Sequence, residues 1–158
     1  MADDALPPHL AILSRHAEEF RRELEPAERR DALVVAVEAG YLAGAADGEV
    51  DANERATIAQ AVEMLSDGEI IEWELESLLD ACVQRSLAEG PEGRARSVGA
   101  ALALLGRPEV GLFFAALVAF ATGGIDASER RVLEAIAAAA GIGPDGLRPI
   151  IERVTSLA

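Results

Sequence analysis

The chain has 158 residues, about half of them apolar, which suits one domain with its own core and excludes a disordered segment. It carries 28 acidic residues against 14 basic ones, a formal charge of -14, and every basic residue is an arginine. Phosphate backbones and anionic lipid surfaces repel such a chain, which argues against nucleic acid and membranes as partners and leaves cations and basic protein surfaces.

Alanine, leucine, glutamate and arginine dominate, all good helix formers, and no alternating strand pattern bounded by hairpin turns is present. Pro7 and Pro8 open a first helix expected to reach about residue 24, where Pro26 breaks it. A second helix is expected over 27–46, with Leu33, Val34, Val37 and Tyr41 on one face. A third starts at Asp51 and places Ile58, Val62 and Leu65 at helical spacing. A fourth, over 69–87, carries the stripe Ile71, Leu75, Leu78, Leu79, Cys82 and Val83. Gly90 and Pro91 then interrupt the chain, and a fifth helix runs to about residue 105 with Val98, Ala101, Leu102 and Leu105 inward. Gly106 and Pro108 separate it from the apolar stretch 112–121, which falls well short of the roughly 20 residues that span a bilayer and predicts a buried helix. A seventh helix is expected over 126–140, ended by Gly141, Gly143 and Pro144, and a last one carries Leu147, Ile150, Ile151 and Val154.

The single cysteine, Cys82, excludes an internal disulfide and any Cys-based metal motif, in keeping with a reducing cytosol. On an apolar stripe it reads as a buried, inert thiol. The N-terminal Met-Ala-Asp-Asp lacks the basic start and apolar run of a signal peptide, so a cytoplasmic location is expected.

The chain repeats itself. Residues 46–55 align with residues 121–130 at a constant offset of 75, with six of ten positions identical and Val50 matched by Ile125. Each copy follows an apolar helix and opens an amphipathic one. The fold class expected is therefore all-α, a compact bundle of about eight helices in two helix–turn–helix halves related by a pseudo-two-fold axis.

Two physical accounts of the repeated turn stand side by side. In the first it is a helix start. Asp51 with Glu54, and Asp126 with Glu129, have the form of a capping box, with Val50 and Ile125 placed to staple the first turn. Gly48 and Gly123 suit the left-handed residue that ends the preceding helix. In the second account the turn also holds a cation. Asp47 and Glu49 sit where the preceding helix presents its negative end, so capping gives them no role. Asp47, Glu49, Asp51 and Glu54 place four carboxylates within eight residues, a donor set suited to a hard divalent ion such as calcium or magnesium. The turn is not an EF-hand: counted from Asp47, Ala52 stands at the loop glycine and Ile58 at the terminal glutamate. Thr122 and Gly124 replace Asp47 and Glu49 in the second copy, which is poorer in charge.

The sequence Ala45-Ala-Asp47-Gly-Glu-Val-Asp51-Ala-Asn-Glu54 after an apolar helix resembles the hallmark of the TerB-like (tellurite-resistance protein B) family, and the stretch from Ala121 to Glu129 is similar to that family's other half. The resemblance covers roughly residue 27 to the C-terminus. It implies an all-helical domain over 27–158 with internal two-fold symmetry; residues 1–26 are expected to form an N-terminal helix packed on that domain. It further implies an acidic centre proposed to bind metal, and a part in tellurite resistance and other bacterial stress responses. Matching positions carry the family's acids to Asp47, Asp51, Glu54, Asp126 and Glu129. Thr122 departs from the acid often found there, which argues against a symmetric two-metal centre.

Nothing points to catalysis. His9 and His16 are seven apart without metal-ligand spacing, no nucleophile elbow or phosphate-binding loop is present, Asp67-Gly-Glu69 reads as a turn before the fourth helix, and Trp73 is isolated. The function expected is a non-enzymatic domain that binds a divalent cation, a basic partner protein or both through its acidic turns. The alternative is a metal-free acidic interaction module, with Arg55, Arg130 or nearby arginines neutralising the acids. A hydrolase built on paired carboxylates would require a concave site holding two acids with raised pKa values.

Overall fold

Proline and glycine divide the chain where the sequence places them. The computed structural model describes residues 26–46, 50–66, 70–106, 108–121 and 125–156, and among these it is helical without strands. The helices are α1 (Pro26–Gly44), α2 (Ala52–Ser66), α3 (Glu72–Glu89), α4 (Pro91–Leu104), α5 (Pro108–Ala121), α6 (Ala127–Ala139) and α7 (Pro144–Ser156). Prolines open α1, α4, α5 and α7, because the first helical position needs no N–H and favours a fixed φ. Pro26 therefore starts a helix expected from residue 27, and Pro108 starts one whose apolar stretch was read from residue 112. Gly90, with φ of 80°, turns the chain between α3 and α4. The N-terminal helix expected over residues 1–26 lies outside the described residues apart from Pro26.

α1 and α5 form the centre and pack most extensively on each other. Around them, α1 touches α2, α3, α4 and α6, while α5 touches α2, α4, α6 and α7. Their sequences explain the position. α5 buries an unbroken run from Gly111 to Leu117, as a helix apolar on every side must. α1 was expected to bury one face; instead Ala36, Ala39, Leu42 and Ala43 are buried along with Leu33, Val37 and Tyr41, and Val34 is only half-buried. The small residues around α1 let neighbours approach from all sides.

Leu33, Val37, Ile58, Val62, Leu79, Leu102, Leu112, Phe114, Leu117, Leu133 and Ile136 are almost wholly buried, each side chain contributing about 1.5–3 kcal/mol by leaving water. At Gly99, α4 passes so close to α6 that a Cβ would overlap the Ile136 carbonyl oxygen and the Ala139 methyl. Arg153 of α7 lies 4.7 Å from the Phe113 ring centroid, a cation–π contact onto α5. The fourth stripe starts later than expected. Ile71 precedes α3 as its N-cap and is 44% exposed, whereas Leu75, Leu79 and Cys82 point inward.

Candidate functional site

Both repeated turns start helices at the residues the alignment picks out. Asp51 Oδ1 accepts the Glu54 N–H at 2.8 Å, and the Asp51 N–H reaches back to Glu54 Oε1 at 3.4 Å. In the second copy, Asp126 Oδ1 accepts the Glu129 N–H at 2.8 Å, with Asp126 in extended backbone at φ −83° and ψ −179°. Each Asp thus satisfies one of the backbone donors that a helix start leaves open. Val50 and Ile125, just before the caps, are half-buried against the core.

The four described carboxylates of the expected cation set are not brought into one cluster. Asp51 and Asp126 are exposed, Glu54 is half-buried, and Glu129 is 7% exposed and engaged within the fold. A carboxylate has two acceptor oxygens, so a cap leaves Asp51 capacity for a second partner. Among the described residues, however, no three His, Cys, Asp or Glu side chains lie close enough together to hold a metal ion. A cation at the first turn therefore depends on Asp47 and Glu49. These two, with Gly48 and with Thr122 to Gly124 of the second copy, lie outside the described residues, as do His9, His16 and the Asp67-Gly-Glu69 string.

Among the described residues, the arginines after the caps pair with helix carboxylates rather than with the capping acids. Arg55 Nη2 donates to Glu76 Oε2 at 2.6 Å and to Asp80 Oδ1 at 3.4 Å, tying α2 to α3. The hydrogen bond to Glu76, ahead of the opposing desolvation, raises the Arg55 pKa. Arg130 lies 3.8 Å from Glu134 one turn along α6. Trp73 is 68% exposed on α3.

One ionic cluster escaped the sequence reading. Glu38, in the middle of α1, is only 5% exposed. Its Oε2 accepts from Arg94 Nε at 2.7 Å, and its Oε1 accepts from Arg94 Nη2 at 2.8 Å and Arg85 Nη1 at 3.0 Å. Arg94 Nη1 also donates to Glu89 Oε2 at 2.7 Å. The two-pronged guanidinium grip joins α4 to α1 and accounts for a charge inside an apolar helix. The hydrogen bond to Glu38 is the main cause of a raised Arg94 pKa. The signal was present: Glu38 interrupts Val34-Val-Ala-Val-Glu-Ala-Gly40, and a buried acid demands a paired base. Cys82, nearby on α3, is buried as expected, and desolvation, then the charge of Glu38, push its thiol up to about 12. At neutral pH it is a protonated, unreactive thiol.

A groove of about 880 Å³ runs between the C-terminal part of α1, the end of α3, the start of α4 and the outer side of α6. Tyr41, Leu42, Val83, Ala95, Val132 and Ala135 supply apolar wall, and Arg96, Arg131 and Glu92 supply charge. Ala45 and Ala46, which lead directly into Asp47, also line it. A smaller groove of about 610 Å³ lies between α2 and the start of α3, with Ile70, Ile71 and Leu75 beside Arg55, Glu63 and Glu76. The sequence reading named neither groove. No helix among the described residues is long and apolar enough to cross a membrane.

Comparison with protein-family models, with curated proteins and with solved structures returned no match for the chain.

Proposed function

We propose that the chain is a non-enzymatic, TerB-like binding domain of the bacterial cytoplasm, acting in a stress response of tellurite-resistance type. It takes a divalent cation, a basic partner protein or both through its acidic inter-helix turns. The observation that carries this reading is the matched placement of the two turns. Each leaves one of the two central, mutually packed helices, and each opens the next helix with an aspartate whose Oδ1 lies 2.8 Å from the backbone N–H three residues on. The stress-response assignment rests on the resemblance of the 46–55 turn to the family.

The helix pairings support two halves related by a pseudo-two-fold axis, α1 to α3 and α5 to α7, with α4 as the link. Exchanging α1 with α5, α2 with α6 and α3 with α7 converts the pairings α1–α2, α1–α3, α1–α6 and α2–α3 into α5–α6, α5–α7, α5–α2 and α6–α7. All eight occur. Capping accounts for Asp51, Glu54 and Asp126 and gives Asp47 and Glu49 no task, so the first turn is the cation site. Oxygen-only donors favour calcium or magnesium there.

Elemental analysis of the native protein, followed by calorimetric titration with calcium, magnesium, manganese and zinc, tests the reading. One ion bound per chain, with the heat lost in Asp47→Asn, supports it. The metal-free interaction module is the second reading, favoured by the reciprocal hydrogen bonds that already engage Asp51 and Glu54; it prevails if no ion binds beyond a matched salt control.

A further inference from the structure

We propose that the groove between α1, α3, α4 and α6 binds an apolar monoanion of the long-chain carboxylic acid class, its hydrocarbon chain along the apolar walls and its carboxylate between Arg96 and Arg131. The inference goes beyond the cation reading and does not depend on it.

Charge is the first argument. This chain has twice as many acidic as basic residues, so an arginine finds a carboxylate easily. Arg30, Arg55, Arg85 and Arg94 each do, on Glu74, Glu76, Glu38 and Glu38 respectively. Arg96 and Arg131 have no ion pair or side-chain hydrogen bond among the described residues, and both line this groove. Glu92 shares the rim one turn before Arg96 without pairing to it. It leaves a net positive rim on an otherwise acidic protein, which selects a single negative head group over a dianion or a cation.

Size and lining give the second argument. Sixteen residues line the groove, fewer than the roughly 20–30 a side of a stable protein interface. Its volume of about 880 Å³ lies within the roughly 300–1,000 Å³ of small-molecule sites, which are mostly apolar with a few placed polar groups. An acid with an extended hydrocarbon body covers the walls, and its head meets the free guanidinium groups.

The test is calorimetric titration of the full chain with dodecanoate, dodecanol and dodecyltrimethylammonium, each kept below its micelle concentration. Hydrogen bonds to a charged head predict that dodecanoate binds at one per chain, at least about tenfold tighter than dodecanol. The cationic amphiphile should bind weakest at this site. Arg96→Ala with Arg131→Ala should erase the preference for dodecanoate over dodecanol while leaving the helical circular dichroism unchanged. Ala135→Trp, at an exposed position that faces the groove, should weaken both ligands by filling the space. Asp47→Asn, expected to remove any cation response, should leave dodecanoate binding intact, so the two proposals fail separately. The proposal is overturned if dodecanoate shows no saturable binding, binds no tighter than dodecanol, or keeps its advantage in the double arginine variant.

Discussion

The two copies of the repeated turn carry one local code into different surroundings. Both aspartates cap with the same 2.8 Å hydrogen bond, yet Glu54 remains half-exposed whereas Glu129 is buried. α4 lies across α6 with Gly99 against its backbone, while Ala52, Ala56, Gln60 and Glu63 on the outer side of α2 stay exposed. A capping box needs only four consecutive residues; the burial of its glutamate depends on the packing around it. The copies therefore agree at the cap and diverge one turn later. In the second copy the glutamate serves the interior. In the first it stays at the surface, on the turn that also carries Asp47 and Glu49.

The largest expected effect comes from uncoupling α4, which packs on α6 of the second copy. Arg94→Ala leaves Glu38 buried with Arg85 alone. Losing one partner of a buried pair costs about 3–5 kcal/mol, and the remaining arginine places this loss at the low end. Urea midpoints check it; a loss under about 1 kcal/mol would show that the grip on Glu38 is incidental to the fold. Next is Gly99→Ala, whose added methyl meets the α6 backbone, at a cost of about 1–3 kcal/mol. The control is Gln60→Ala on the uncovered face of α2, expected within about 0.5 kcal/mol of wild type. Equal effects of the two changes would remove the claimed difference in cover.

Smaller still is the contrast between the caps. Each aspartate-to-alanine change should cost about 0.5–2 kcal/mol. Asp126→Ala should fall in the upper half and Asp51→Ala in the lower, because the latter also relieves the crowding of four carboxylates in one turn. Identical losses would contradict a charge surplus confined to the first copy. The last effect concerns Cys82 and is silent near neutral pH. Its thiol, pushed up to about 12 from a usual 9.0, keeps its proton in the folded state while the unfolded chain ionises. The resulting stability is complete below about pH 9 and is lost as the pH climbs from there towards 12. Near neutral pH the native protein should resist thiol-specific labelling and react only on unfolding. Rapid labelling of the folded protein would show that the wall between α1 and α3 is open.

Helices and caps were legible because their causes are local. Pro26, Gly90 with Pro91, Pro108 and Pro144 mark helix starts, and Asp51 and Asp126 supply oxygens three residues before glutamate. Errors of a few residues arose where a stripe was extended past its first turn, as at Ile71. The Glu38 cluster was not read because its partners are 47 and 56 residues away, and neither arginine differs locally from a surface one. The larger groove draws on four helices and has no contiguous pattern. For α1, periodicity suggested one inward face; alanines and glycines on its other sides look neutral in sequence but permit burial all round.

The central claim is that the first turn carries a carboxylate set beyond what capping uses, and that this set binds a cation. Melting curves of the wild type, Asp47→Asn and Asp126→Asn, with and without calcium, magnesium, manganese and zinc at matched ionic strength, test it most directly. With millimolar ion and a site of about 10 μM affinity, binding adds about 2.7 kcal/mol to wild-type stability, a rise of several degrees in Tm. Asp47→Asn should lose this rise and Asp126→Asn should keep most of it. A wild type whose Tm responds to none of these ions beyond the salt control, or an Asp47→Asn variant that responds in full, would contradict the account.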